Sequence, residues 1–511
     1  MQAAGKVYIE QLIERLIDAH DVPVLRHQGR DITGGEFLGS IFRYARALSA
    51  IGISRGKLVA LFAPNNPDAL AIRYATNLLG AGAIYLPAQV SSQSRFDLLA
   101  RLNPSLLVLF SETAHLVPSG VTAKTAGVGK HIPGVSIHLD ELAATQTSEV
   151  LGSSARPEDL GVIISSGGTT GTPKSSWRTF SAYTAMVHTP SNTSRIQLIN
   201  GPLAYLSQVL VDVTLLGGGI VVLEKHFDAA STLATIEAQR ITDLFLVEPQ
   251  LFEVMDHPDV TRRDLSSLQM LTHIGASAPP TLRRRAWQRL GPVLTHTYGA
   301  SEIGLVSTLS PAEHDVLHSE RFACAGRIRP GVEVRFRRKD GTLASAGDMG
   351  IIEVRSHAMA GGYYGNPELE VRTFLDGWYR TSDIGMKDKD GYLYICGREG
   401  DLTRDEDNPI SLTLIEDVLC QLPSVRFAVA VPERHTELGI VAVVPWPEQT
   451  VDLSQCRDAI AGRFGATIAD LFLLIQVGRV PLTEQGKPDR GAIVELGRAS
   501  GKQSTIQQVN C

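Results

Sequence analysis

Short apolar runs alternate with stretches of helical periodicity along the first third of the chain. Residues 57–62 (KLVALF) predict a buried strand, and Asn65-Asn66-Pro67 then opens a helix over 69–79. Pro67 suits a first turn, where its missing N–H costs nothing. Gly80-Ala81-Gly82 ends the helix and AIYLPA begins the next strand. The rhythm returns at 105–110, 219–223, 233–240 and 243–247. Strand–helix–strand order predicts parallel strands joined by right-handed crossovers. There is no fixed-period repeat, so a solenoid is excluded.

Near residue 325 the pattern changes. Residues 325–355 alternate and are punctuated by Pro330-Gly331 and Asp340-Gly341, which predicts antiparallel hairpins. A second such piece follows over 377–399, turning at Asp390-Gly391. Acidic, turn-prone residues come next, and a boundary is expected near 399–402. Beyond it the pattern predicts a compact α+β stretch: helix 412–422, strands 426–431 and 439–444, helix 454–464 and strand 472–477.

Composition narrows the function classes. At 511 residues the chain has room for about three folding units of roughly 150 residues each. Lys plus Arg is 48 against 54 for Asp plus Glu, and no basic block occurs. Nucleic acid and polybasic membrane attachment are therefore not expected as partners. The five cysteines are sparse and lack metal-ligand spacing, as reduced thiols of a cytoplasmic protein would. The first twenty residues carry charges through an amphipathic pattern, which reads as a helix and not a secretory signal. No apolar run approaches the ~18 residues of a membrane span.

The strongest local feature is the run VIISSGGTTGTPK over 162–174. A buried strand enters a loop of Ser166, Gly167, Gly168, Thr169, Thr170 and Gly171, followed by Pro173 and Lys174. Glycines let backbone N–H groups approach an anion, hydroxyls add donors, and the lysine adds charge. A polyphosphate is the natural guest. The common P-loop is excluded, because Pro173 stands where that motif needs a glycine. A solvated surface turn is the bland alternative, and it fits poorly with ten ordered residues placed directly after a strand.

SSGGTTGTPKS resembles the signature loop of the adenylate-forming superfamily, which includes acyl-CoA and aryl-CoA synthetases. Other motifs of that family appear in order, spanning 165–490. Tyr298-Gly299-Ala300-Ser301-Glu302 is similar to Tyr-Gly-x-Thr-Glu, with a hydroxyl kept at Ser301. Gly275-Ala276-Ser277 resembles the loop that packs on adenine, and Gly326 and 361–364 (GGYY) fit two further landmarks. Tyr379-Arg-Thr-Ser-Asp383 resembles Thr-Gly-Asp, with Ser382 for glycine; Gly397-Arg398-x-x-Asp401 and the run 481–490 (PLTEQGKPDR) complete the set.

The resemblance implies a fold and a chemistry. The fold would be α/β: a large N-terminal unit, 1–400, of two parallel-sheet lobes and a small β lobe, with a smaller α+β cap over 401–511. ATP and a carboxylic acid would form acyl-AMP and pyrophosphate; a thiol of CoA or of a carrier-protein pantetheine would then displace AMP. Lys487 would be the catalytic lysine and Glu302 the Mg²⁺ ligand. Asp383 and Arg398 would hold ribose, and Asp401 would be the hinge for rotation of the cap. Tyr205, Gly299 and Ala300 would line the acid pocket, and the apolar 201–206 segment points to a hydrophobic acid. A homodimer is left open.

Three departures bear on the second half-reaction. Glu406 and Asp407 stand where the family has a glycine pair, Leu414 stands for a glutamate, and only Glu416 matches its second glutamate. The chain is therefore expected to act as an acyl-CoA ligase or as a specialist in one half-reaction.

Overall fold

The computed structural model describes residues 5–88, 90–130, 132–166, 173–275, 278–314, 319–345, 347–400, 410–432 and 438–509. Among these, two large sheets lie side by side. The seven-stranded sheet runs, edge to edge, Gly362–Tyr363, Lys174–Thr179, Leu160–Ser166, Gly82–Tyr85, Leu58–Phe62, Leu106–Phe110 and Thr125–Val128. Its five strands from Leu160–Ser166 onward are parallel; Lys174–Thr179 returns antiparallel beside them, and Gly362–Tyr363 pairs antiparallel with it at the edge. The nine-stranded sheet has a parallel centre (Pro23–His27, Ile220–Leu223, Ile196–Ile199, Asp243–Leu246, Met270–Ile274 and Leu294–Ala300) with antiparallel strands at both edges. Mixed α/β architecture with parallel sheets thus follows the alternation along the chain.

Local chemistry sets the elements. Asn66 Oδ1 accepts from the Ala69 N–H at 2.8 Å and caps the helix Pro67–Leu78, with Pro67 in its first turn. That cap satisfies one of the orphan donors of the helix start. Leu58–Phe62 and Leu106–Phe110 are buried throughout, as expected of strands covered on both faces.

A buried charge network joins the lobes. Asp212, on the helix Gln208–Leu216, accepts both Arg73 Nη groups at 2.7 and 2.8 Å, Tyr74 Oη at 2.5 Å and Tyr183 Oη at 2.5 Å. The Arg73 and Asp212 side chains are each 1% exposed. Burial and the facing anion raise the tyrosine pKa values, so these hydroxyls stay protonated donors.

A small antiparallel sheet follows, built on Val332–Arg337, Gly350–Ser356, Trp378–Lys387, Phe374–Leu375 and Leu393–Arg398. Trp378–Lys387 and Leu393–Arg398 pair antiparallel through a turn at Asp390-Gly391, where the sequence places it. The C-terminal stretch holds Val425–Val431, Gly439–Pro445 and Phe472–Gln476, the first pair antiparallel and the second parallel. Helices Leu412–Cys420, Leu453–Phe464 and Arg490–Val509 accompany this sheet.

The C-terminal stretch is seated on the second lobe. The Phe252 and Phe427 rings pack at 5.0 Å between centroids. Asp256, 1% exposed, accepts from Arg285 and Arg289 of its own lobe at 2.9 and 2.5 Å and from Arg426 at 3.0 Å. Trp446 covers the Arg285 and Arg289 guanidinium groups at 4.8 and 5.4 Å. Stacking on an aromatic face offsets the surplus of cations around one carboxylate. The Thr281 N–H, at the start of the helix Pro280–Leu290, donates to Asp417 Oδ1 at 2.7 Å.

Candidate active site

Strands of both large sheets deliver the candidate residues at their carboxyl ends, where open α/β sheets bind ligands. Ser166 ends Leu160–Ser166, Gly275 follows Met270–Ile274, and Tyr298, Gly299 and Ala300 close Leu294–Ala300. Ser176 Oγ lies 3.1 Å from the carbonyl oxygens of both Ile164 and Ser301, tying the two sheets together beside these ends.

Glu302 is 4% exposed and already ordered. Tyr363 Oη donates to its Oε1 at 2.8 Å, Ser301 Oγ donates to its Oε2 at 2.9 Å, and its carbonyl accepts the Ala360 N–H at 2.7 Å. Tyr379 Oη stands 3.1 Å behind Tyr363 Oη. Lys174 opens the antiparallel return strand and holds its ammonium 5.5 Å over the Tyr363 ring. Arg178, farther along that strand, is fully buried; its Nε donates to the Ala358 carbonyl at 2.8 Å, while Nη1 and Nη2 have no hydrogen-bond partner among the described residues. Burial pushes this guanidinium down to about 10, against an opposing pull from Glu302.

Asp383 and Arg398 lie on paired antiparallel strands, directly opposite each other. Arg398 Nε is 3.3 Å from Asp383 Oδ1, and Tyr298 Oη donates to Asp383 Oδ2 at 2.6 Å. A vicinal diol would meet an acceptor-only group here that is already oriented by a tyrosine and an arginine.

Lys487 reaches this cluster from the far end of the chain. It sits in a turn closed by a bridge between Leu482 and Pro488, with the Thr483 N–H donating to its carbonyl at 2.8 Å. Gly275 has φ +102°, and a Cβ there would stand 3.0 Å from Lys487 Cε. Glycine at 275 therefore lets the lysine stem pass. Burial, and then the nearby Arg398 guanidinium, push the Lys487 ammonium down to about 8, against upward pulls from Glu302 and Asp383. Five motifs scattered over more than 200 residues thus converge on one point.

Under Gly275 lies a pair that no motif announces. His273 and His296 face each other across neighbouring parallel strands with Nδ1 atoms 2.8 Å apart. Burial lowers both pKa values, that of His273 to about 3, so the pair is neutral, with one Nδ1 donating to the other.

Gly167, Gly168, Thr169, Thr170, Gly171, Ala276, Ser277, Asp401, Glu406 and Asp407 lie outside the described residues. Tyr205 falls at a kink (φ −126°, ψ −137°) within Leu203–Ser207 and donates to Glu484 Oε2 at 3.2 Å. Sequence reasoning gave no role to Glu484, Tyr379 or Arg178. Arg178 lies just past one quoted motif, Tyr379 opens another and Glu484 sits inside the run 481–490, but nothing in the sequence pairs Glu484 with a residue 279 positions away.

Residues 15–364 match the AMP-binding enzyme family. The chain belongs to that family. Among curated relatives of this AMP-binding enzyme, a medium/long-chain-fatty-acid–CoA ligase of Mycobacterium tuberculosis is 29% identical over 92% of this chain and 86% of its own length. A feruloyl-CoA synthase of Amycolatopsis sp. is 28% identical over 92% and 94%. Among solved structures, the amide bond synthetase McbA of Marinactinospora thermotolerans superposes with a TM-score of 0.84 at 27% identity, covering 96% of this chain and 99% of that one. Among the described residues of this AMP-binding enzyme, no helix is long and apolar enough to cross a membrane.

Proposed function

We propose that the protein is an ATP-dependent acyl-CoA ligase for a hydrophobic carboxylic acid. The observation that carries this reading is Lys487, held against Gly275 amid Glu302, Asp383 and Arg398. In the first half-reaction a carboxylate oxygen attacks the α-phosphorus of ATP, and the bond to pyrophosphate breaks. Negative groups converge, so the step needs fixed positive charge and positioning more than acid–base chemistry. Lys487 supplies that charge at the carboxylate and α-phosphate; Asp383 and Arg398 fix the ribose; Lys174 and the 166–171 loop hold the phosphates. In the second half-reaction the CoA thiol attacks the acyl carbonyl and AMP leaves.

Mg²⁺ fits the donor set. Glu302 spends two of about four lone-pair sites on hydroxyls, leaving acceptor capacity for a cation. No group of three acidic, His or Cys side chains gathers among the described residues, which suits an ion held by one carboxylate together with phosphate oxygens and water. Bound there, Mg²⁺ would neutralise phosphate charge.

The domain reading places a unit over 1–400 and a cap over 401–511, turning at Asp401. The firm seat of the cap through Phe427, Arg426 and Trp446 supports a second reading, in which the first half-reaction dominates and acyl-AMP passes to another acceptor, such as a carrier-protein thiol or an amine. Glu406 and Asp407 point the same way. Likeness to two CoA ligases favours the first reading, and likeness to an amide bond synthetase the second. The deciding experiment measures acid-dependent ATP–pyrophosphate exchange beside CoA thioester formation over a panel of fatty and aryl acids. Exchange with thioester supports the ligase; exchange without it overturns the CoA step in favour of the second reading; no exchange with any acid sinks both.

A further inference from the structure

Glu484 lies three residues before Lys487 in the same turn, and its carboxylate leaves the cap altogether. Oε1 and Oε2 accept the Ala88 N–H at 3.1 and 3.0 Å, and Oε2 accepts Tyr205 Oη at 3.2 Å. Ala88 follows the strand Gly82–Tyr85 of the seven-stranded sheet, whereas Tyr205 belongs to the kinked segment Leu203–Ser207 that precedes the helix Gln208–Leu216. A small cavity beside the carboxylate, about 20 Å³, is walled by Phe62, Leu86, Leu116, Pro202 and Leu203. In such surroundings a carboxylate is costly to place without donors, and charge-assisted hydrogen bonds are the strong ones. These three bonds reach two separate elements of the large unit, so they form together only when the turn is fully seated.

Between Glu484 and Lys487 the turn has little slack. The Gly486 N–H donates to the Thr483 carbonyl at 2.8 Å, and the Thr483 N–H to the Lys487 carbonyl at 2.8 Å. A Cβ at Gly486 would strike Gln250 Nε2 at 2.6 Å, so the turn rests directly on the second lobe. Fixing Glu484 at one end therefore fixes where the lysine stem enters at the other.

We infer that Glu484 is a positioning residue for adenylation, reading the Tyr205 segment at the acid pocket and holding Lys487 in its reactive place. The inference rests on the proposed role of Lys487. An acid that displaces Tyr205 loosens Glu484, and with it the lysine; an acid that leaves Tyr205 in place keeps both seated. Glu484 thus makes the adenylation rate depend on how the acid fits, without itself touching acid or nucleotide.

The test uses the full-length chain and acid-dependent ATP–pyrophosphate exchange with Lys487→Ala, Glu484→Gln, Tyr205→Phe and the Glu484→Gln/Tyr205→Phe double variant. Glu484→Gln keeps the shape and removes the charge; it should lower kcat about tenfold, the scale of one charge-assisted hydrogen bond, with KM for ATP changed less than about twofold and an unchanged thermal midpoint. Tyr205→Phe should lower kcat less, and its effect should vanish in the Glu484→Gln background, the signature of a shared contact. Additive effects, a loss confined to KM for ATP, or a rate equal to the unmodified enzyme would overturn the inference. Lys487→Ala separates the two levels: if it leaves exchange intact the proposed function of that lysine fails, whereas loss in Lys487→Ala with none in Glu484→Gln refutes only the positioning role.

Discussion

The Lys487 ammonium, pushed down to about 8 from an ordinary 10.5, gives adenylation an alkaline limb whose sign and size can be worked out. On the role proposed for Lys487 the charged form does the work, so the rate follows the protonated fraction: about nine-tenths at pH 7 and about one-tenth at pH 9 for a pKa near 8. The kcat/KM for ATP should therefore fall about tenfold across that interval, because this ratio reports the free enzyme. Bound phosphates favour the ammonium, so the limb in kcat should sit at higher pH. Stability runs the opposite way. Between about 8 and 10.5 the unfolded chain keeps a proton on this lysine that the folded chain has released, so its contribution to stability rises with pH there. Lys487→Met removes the burden; it should be more stable than the unmodified protein by about 1–3 kcal/mol at pH 7, with the gap closing by about pH 10. Exchange kinetics from pH 6.5 to 9.5 and urea unfolding at both ends would measure the two effects. Lys487→Arg keeps its proton throughout, so its residual activity should lose the limb. A limb that survives unchanged in Lys487→Arg would refute the reasoning.

Arg73→Met strands the Asp212 carboxylate among Tyr74 and Tyr183 and should lower the urea-unfolding free energy by about 3–5 kcal/mol, the cost of breaking a buried pair at one partner. Gly326→Ala would place a Cβ within 2.1 Å of Thr308 and Leu309 backbone atoms at φ +87°, so it should cost about 3 kcal/mol or more and express poorly; a soluble variant with an unshifted thermal midpoint would contradict this. Tyr363→Phe takes one hydroxyl from Glu302, and the half-saturating Mg²⁺ concentration for exchange should shift about fivefold. An unshifted titration would show that Tyr363 does not orient the carboxylate.

Much of the fold was legible because local signals and burial agreed. The strand Leu58–Phe62, the Asn66 cap and the turn at Asp390-Gly391 stand where the apolar runs and turn residues put them. The C-terminal elements also fall within a few residues of their expected ends, since each has its own apolar face. Lys174–Thr179 was not legible as a strand: its Ser, Trp and Arg side chains carry no alternation, and only pairing to Leu160–Ser166 makes it one. The candidate site divides in the same way. Residues inside motifs could be named, and the structure brings Glu302, Asp383, Arg398 and Lys487 together. Contacts between distant partners could not be read, because the Glu484–Tyr205 bond, the histidine pair and the burial of the Arg178 guanidinium are products of tertiary packing.

The arginine knot at Asp256 has a consequence for any motion of the cap. Were the cap to depart, Asp256 would keep Arg285 and Arg289 from its own lobe and lose only Arg426. Asp256 is not left bare, so this buried carboxylate does not forbid such a swing. What departure uncovers is aromatic: Phe252 and Phe427 part, and Trp446 leaves its two guanidinium groups. A catalytic cycle that includes the swing would thus wet and dry the same three rings at every turnover, and greasy surface would weigh on its speed beside the ion pairs it breaks.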